Sequence, residues 1–343
     1  MNESIKWYET EGKEEDVVVS TRVRLARNLP SVPFPGRLND AGKIQVMEQI
    51  REAVLGPNSL FAGFFSWIPL ATLSRGAAVS LAERQLVSPE FIAHPQGRAL
   101  LLARDESISG AINGEDHLHI QMLARGLALS QAWEAASRLD DALNERLFFA
   151  FDQELGYLTR NPADLGTGMA ASLTLHLPAL EESGIILRTA SNLSKLGLSL
   201  RAVWGEVGKS AGCLYQLSNR VTLGLSEKEA LSNLETIAMQ LLRQERGARE
   251  KLTSRLETQD AVARSLGILQ NARLLELDEF MKLLSNVRLG AASGFLKNVD
   301  LLTLNCLAIQ MQPATLRLPK GQETGEEEPV LRARLVREAL GGA

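Results

Sequence analysis

The sequence is poor in residues that would place it outside the cell or around a metal. Among 343 residues there are two cysteines, Cys213 and Cys306, and four histidines. Two thiols cannot form a disulfide framework, so a reducing, cytoplasmic setting is expected. No run approaches the roughly 18 apolar residues of a membrane span. The longest apolar neighbourhood, SLFAGFFSWIPLATL, is broken by Gly63, Ser66 and Pro69. There is no excess of positive charge: the net charge of −4 gives no basic field for nucleic acid. The opening MNESIKWYETEGKEED is polar and acidic, unlike a secretory signal.

What is present is ordinary for a soluble globular protein, with 45% hydrophobic and 23% charged residues. The length exceeds that of a usual single domain, so two domains are expected. VVVSTRVRLARNL (17–29), the two halves of RALLLARDESISGAIN (98–113), EDHLHIQML (115–123), LGLSLRAVWGE (196–206) and AGCLYQLSNRVTLG (211–224) read as strands. AGKIQVMEQIREAVLG (41–56) and LALSQAWEAASRLDDALNERLFFAF (127–151) carry apolar residues at helical spacing. At Ser226 the character changes. Ser226 and Glu229 form a capping-box pattern, and helical periodicity continues to about residue 312. The expected division is therefore 1–225, α+β, and 226–343, helical. The polar, acidic LPKGQETGEEEP (318–329) reads as a mobile linker.

Four segments carry polar chemistry. In STRVR (20–24), strand alternation puts Ser20, Arg22 and Arg24 on one face, and Val19, Val23 and Leu25 on the other. Adjacent arginines repel unless an anion lies between them, and their planar forks suit phosphate; a solvated edge strand is the alternative. In NGEDHLHI (113–120), the same alternation puts Glu115, His117 and His119 on one face, which could ligate a metal or simply line a polar groove. GEVGKS (205–210) is not a P-loop. The pattern needs glycine where Val203 stands, and a strand rather than a helix follows. Finally, DLGTG (164–168) is a glycine-spaced turn that lets backbone N–H groups approach an anion, yet the following MAAS carries no cation.

Taken in order, STRVRLARNL, INGEDHLHIQ, GYLTRNPADLGTGMAASLTLHLPAL, LRAVWGE, YQLSNRVTLG, QLLRQERGAR and SNVRLG resemble the ATP:guanido phosphotransferases over nearly the whole chain, and within them the bacterial protein-arginine kinases. The resemblance implies an α+β catalytic domain, an antiparallel sheet flanked by helices, followed by a helical C-terminal domain. It implies ATP and Mg²⁺ as cofactors, with no metal-ligating side chains assigned. Glu115 is then the general base and Glu206 the second carboxylate. Ser20, Thr21, Arg22, Val23, Arg24, Ala171, Ser172, Arg201 and Gly205 are the nucleotide-binding positions. The implied partners are proteins with exposed arginine, a zinc-binding activator protein, a Clp-type ATPase and a second copy of the chain.

The sequence departs from that family's pattern at chemical positions. Asn161 stands at the cysteine of a CPTN-type segment, and Ala170 at the arginine of an RAS-type motif. His119 replaces an arginine and Gly114 a glutamate. Gln85 stands at a nucleotide-contacting histidine. An RDxxRA-type phosphoarginine motif falls on 328–333 and keeps only Arg332 and Ala333. One preorganised charge contact to a transition state is worth about 2.7–4 kcal/mol, or roughly 10²–10³ in rate. The readings left open are a protein-arginine kinase whose phosphate cradle lacks one arm, a pseudokinase that binds nucleotide or arginine, and a kinase of small guanidino compounds.

Overall fold

The structure, a computed structural model, describes residues 4–318 and 326–341. Twelve strands are ordered along the chain: β1 (Val18–Arg27), β2 (Phe65–Pro69), β3 (Ala99–Ala103), β4 (Ile108–Ile112), β5 (Leu118–Arg125), β6 (Phe151–Asp152), β7 (Gly156–Tyr157), β8 (Met169–His176), β9 (Leu198–Ala202), β10 (Gly205–Glu206), β11 (Lys209–Ser210) and β12 (Leu214–Asn219). Eight of them form one antiparallel sheet in the order β2-β3-β4-β5-β1-β8-β12-β9; β6–β7 and β10–β11 are separate hairpins.

The helices are α1 (Asp40–Leu55), α2 (Arg75–Glu83), α3 (Pro89–Ala93), α4 (Leu129–Leu147), α5 (Pro178–Glu182), α6 (Ile186–Lys195), α7 (Glu227–Thr253), α8 (Leu256–Asn271), α9 (Leu277–Ala292), α10 (Leu301–Gln310), α11 (Pro313–Arg317) and α12 (Glu328–Ala339). The α+β architecture with a helical C-terminal part is as expected from the sequence.

One face of the sheet is apolar. Val23 and Leu25 lie in register with Met122 and Ile120 of β5 and with Ala171 and Met169 of β8. This face packs against α4 (Ala132, Ala136, Leu143), α1 (Val46, Ile50) and α7 (Leu234, Leu241) in one buried cluster. The opposite face carries the polar members of the alternation. A register shift between Val18 and Ser20 breaks that alternation. Val19 is consequently not on the core face with Val23 and Leu25, as strict alternation predicts, but packs against the helical C-terminal cluster.

Helix α7 begins at the expected change of character, with Ser226 and Glu229 capping each other reciprocally. Its apolar side nevertheless belongs to the sheet's core. A second cluster is built mainly from α8–α12, including Phe280, Leu284, Val287, Leu304, Leu331 and Val336, and takes in Leu214 of β12. We therefore propose that the two units part at the turn after α7, near Ser254, rather than at residue 225. Most of the expected linker at 318–329 lies outside the described residues, but from Glu328 the chain is α12 rather than linker. Among the described residues no helix is long and apolar enough to cross a membrane.

Candidate active site

The polar face is organised in rows that cross the sheet. Ser109 (β4), Gln121 (β5), Arg24 (β1) and Ala170 (β8) form one row. Arg22, Ser172, Ser218 and Ser199 form the next, and Ser20, Thr174, Gln216 and Arg201 the third. Directly opposed residues share a face, so strand register alone gathers Ser20, Arg22, Arg24, Ser172 and Arg201 on one surface. Among the described residues Arg22 and Arg24 have no ion pair and no side-chain hydrogen bond. Burial, and then the neighbouring charge of Arg24, push the Arg22 guanidinium down to about 10, still charged at neutral pH. A half-buried cation with a like charge beside it is stabilised when an anion fills the gap.

Glu115 stands exposed on a tightly held turn between β4 and β5. Asn113 takes the left-handed conformation, φ 60°, which asparagine tolerates better than most residues. Its N–H donates to the His117 carbonyl at 3.0 Å, and its Nδ2 donates to Lys43 O at 2.9 Å and Gly97 O at 2.8 Å. Buried Asp116 accepts from Asn28 Nδ2 and from the Arg160 N–H, both at 2.7 Å, and its Oδ2 lies 2.9 Å from His119 Nε2. Burial alone would raise the Asp116 carboxyl. The His119 and Asn28 contacts and the Arg160 N–H overcome it and hold the group below its ordinary value. Among the described residues Glu115 has no partner, so it is a free carboxylate on a turn whose neighbours are fixed.

The shared face expected for Glu115, His117 and His119 does not form, because β5 begins only at Leu118 and residues 113–117 are a turn. His117 is buried. Its Nδ1 accepts from Leu29 N–H at 3.0 Å and its Nε2 donates to Pro33 O at 2.9 Å, which fixes the neutral tautomer; burial lowers its pKa. It is a structural histidine. His119 does sit on the polar face, with one ring nitrogen committed to Asp116. Asp164 was not singled out in the sequence. Burial pushes its carboxyl up, while the charges of Arg24 and then His119 pull against the shift; among the described residues its one side-chain contact is with Asn161 Nδ2 at 3.2 Å.

Arg24, Glu115 and His119 line one cleft of about 360 Å³, together with Glu90, Gln121 and Arg160. Other expected positions lie elsewhere. Arg201 is exposed at the end of β9, its Nε 3.2 Å from Ser199 Oγ. Glu206 is exposed in the β10–β11 hairpin, in register with Lys209. Gly205 has φ 91°, and a Cβ there would meet Lys209 O at 2.7 Å, so hairpin geometry already requires glycine. Thr21, Val23 and Ala171 face the core side. Thr21 Oγ1 donates to Gly126 O at 2.6 Å and accepts from Ala128 N–H at 3.0 Å. These three side chains are therefore not on the polar face with Arg22 and Arg24.

The DLGTG turn differs from the anion cradle read in the sequence. The Gly166 N–H donates to Leu155 O at 2.8 Å and the Thr167 N–H to Thr222 O at 3.4 Å. A Cβ on Gly166 would meet Thr222 O at 2.4 Å, and one on Gly168 would meet Arg27 Nη1 at 2.6 Å. Its glycines permit close packing, anchored by the buried Arg27–Asp140 pair at 2.8 Å. Ala170, directly across from Arg24, is where the polar face lacks a cation. Arg332 is fully buried in α12. Its guanidinium donates to Met311 O at 3.0 Å, to Leu275 O at 2.9 Å and to Glu328, leaving it a structural staple.

Residues 45–248 match the family model "ATP:guanido phosphotransferase, C-terminal catalytic domain", and residues 255–343 match "Protein-arginine kinase McsB C-terminal domain". The protein-arginine kinase of Moorella thermoacetica is 42% identical over 344 residues, covering 98% of this chain and 97% of that protein. That of Clostridium acetobutylicum is 39% identical over 337 residues, covering 97% and 99%. Among solved structures, the duplicated taurocyamine kinase of Schistosoma mansoni with bound transition state analog components aligns with a TM-score of 0.62 at 25% identity, over 73% of this chain and 37% of that one. Lombricine kinase aligns with a TM-score of 0.59 at 21% identity, over 71% and 69%, and shares the fold. The chain belongs to the ATP:guanido phosphotransferase family, in its protein-arginine kinase branch.

Proposed function

We propose that this protein transfers the γ-phosphoryl group of ATP to arginine side chains of proteins. The observation that carries the reading is the partnerless Arg22–Arg24 pair on the polar face, with Arg24 in the same cleft as the free carboxylate of Glu115. Phosphoryl transfer needs phosphate charge neutralised and a nucleophile aimed in line. Arg22, Arg24 and Arg201 supply charge, and the Ser20 and Ser172 hydroxyls flank Arg22 with further donors.

The acceptor guanidinium has a pKa above about 12 and no lone pair while protonated. Glu115 takes an N–H proton as the N–P bond forms and the bond from phosphorus to the leaving ADP oxygen breaks. Glu206, on the β10–β11 hairpin outside the cleft of Glu115, would hold the remaining N–H groups once the hairpin is brought over the bound arginine. Mg²⁺, when bound, neutralises phosphate oxygens. Mg²⁺ is commonly held by substrate phosphates with few protein ligands.

The branch to which the chain belongs further supports phosphoarginine as a mark for a Clp-type protease, a zinc-binding activator as partner, a cytoplasmic location, and self-association through the helical part. A second reading, a nucleotide-binding module without turnover, is favoured by Ala170 opposite Arg24. Incubation with ATP, Mg²⁺ and an unfolded arginine-rich protein separates the two. Acid-labile phosphoarginine found by mass spectrometry supports the kinase. Stabilisation by nucleotide without product supports the module.

A further inference from the structure

Next to the catalytic cleft is a second lobe of about 430 Å³, continuous with it through His94, Arg98, Gly114 and Arg160. The cleft contains the carboxylates Glu90 and Glu115; the lobe contains none. Its charged lining is Lys43, Arg98 and Arg160, with His94 beside them. Among the described residues, neither Lys43 Nζ nor the Arg160 guanidinium has an ion pair or hydrogen bond. Arg98 donates Nε to Asn113 O at 3.0 Å and Nη1 to the carbonyls of Glu90 and Phe91 at 3.0 and 2.6 Å, which fixes its plane and leaves Nη2 without a partner. Asn113 lines the same lobe and is 1% exposed. Its Nδ2 is doubly engaged, so the amide orientation is set; its Oδ1, left without a partner, is an acceptor and adds nothing to anion binding.

The lobe lies toward the β3–β4 side of the sheet, whereas Arg22 and Arg201 lie toward the β9 edge. Nucleotide phosphates over the arginine rows would leave it empty. A polypeptide whose arginine reaches Glu115 would pass Gly114, which lines both spaces. We propose that the lobe is a substrate subsite that takes an aspartate or glutamate side chain close to the target arginine, so that the enzyme prefers arginines in acidic sequence. The inference rests on the arginine-kinase reading. It is local rather than a property of the whole surface, because the protein's net charge of −4 disfavours acidic peptides at long range.

The test uses two fluorescein-labelled peptides, each with a single arginine flanked on both sides by three aspartates or by three asparagines. Anisotropy without ATP measures binding to the full chain at low salt. The aspartate peptide is expected to bind about three- to tenfold more tightly, the range of one or two partly exposed charge pairs. Lys43→Gln should reduce that ratio and Lys43→Glu erase it, with melting temperatures unchanged. Equal binding of the two peptides, or a ratio that survives Lys43→Glu in a folded variant, overturns the proposal. Phosphorylation of the same peptides is scored separately. A binding preference without product would refute the kinase reading and leave the lobe an acidic-peptide site rather than a substrate subsite, whereas equal binding with product would refute the subsite alone.

Discussion

Restoring the absent cation is the sharpest perturbation of the site. Ala170 is half-buried on the polar face, in register with Arg24 across the β1–β8 pair, two residue pairs from Arg22 and Ser172. Opposed Cβ atoms lie about 4.5–5.5 Å apart, so Ala170→Arg would bring a third guanidinium beside the same anion site. Without nucleotide the new like-charge contact should cost about 0.2–1 kcal/mol, read as a small fall in melting temperature. With ATP and Mg²⁺ it should supply one preorganised transition-state contact, about 2.7–4 kcal/mol, or roughly 10²–10³ in turnover. His119→Arg should gain less, because position 119 already faces the buried Asp116 carboxylate, 2.9 Å from the imidazole. The assay is phosphoarginine formation on an unfolded arginine-rich protein. No gain from Ala170→Arg, together with loss of product in Arg160→Ala or Lys209→Ala, would show that another cation has already taken the role.

Arg22→Ala should abolish the rise in melting temperature that ATP produces, and an unchanged rise would remove Arg22 from the phosphate site. Arg332→Ala should destabilise the helical part by about 3 kcal/mol or more, because the Met311 and Leu275 carbonyls each lose a buried donor; a chemical denaturation curve within 1 kcal/mol of the parent (about the size of one ordinary hydrogen bond) would contradict the staple. Burial lowers the pKa of His117 and of His176, which is also buried and 2.9 Å from Ser285 Oγ. Both are more easily protonated when unfolded. Their contribution is complete above about pH 6.5, the ordinary histidine value, and declines as pH falls below it. His117→Gln should therefore flatten the loss of melting temperature between about pH 7 and 5, and an equally steep profile would count against it.

The sequence made some of this site legible and hid the rest for definable reasons. Alternation in STRVR placed Ser20, Arg22 and Arg24 correctly because that part of β1 is regular. It misplaced Val19, which lies beyond a register shift that period-2 reasoning cannot see. It also failed at His117, because a turn set by left-handed Asn113 delays β5 to Leu118. Burial then turned a presumed groove residue into a core histidine. The DLGTG glycines were correctly read as a turn. Their cause, close packing against Thr222 and Arg27, is tertiary and leaves no local signal. Asp164 escaped notice for the same reason, since only the fold buries its carboxyl and brings the charge of Arg24 to bear on it. The helix beginning at Ser226 was visible from its cap, but which core its apolar face joins was not.

The central claim, that Glu115 deprotonates an arginine side chain attacking ATP, is tested most directly by comparing the parent protein with Glu115→Gln. Both are incubated with ATP, Mg²⁺ and an arginine-rich unfolded protein, and product is followed by phosphorus NMR for the N–P signal. The expected result is phosphoarginine from the parent and a loss of about 10²–10⁴-fold in Glu115→Gln, the usual worth of a positioned general base, with the ATP-dependent melting shift retained. Equal product from both proteins would contradict the assignment of Glu115, and no product from the parent would contradict the kinase itself.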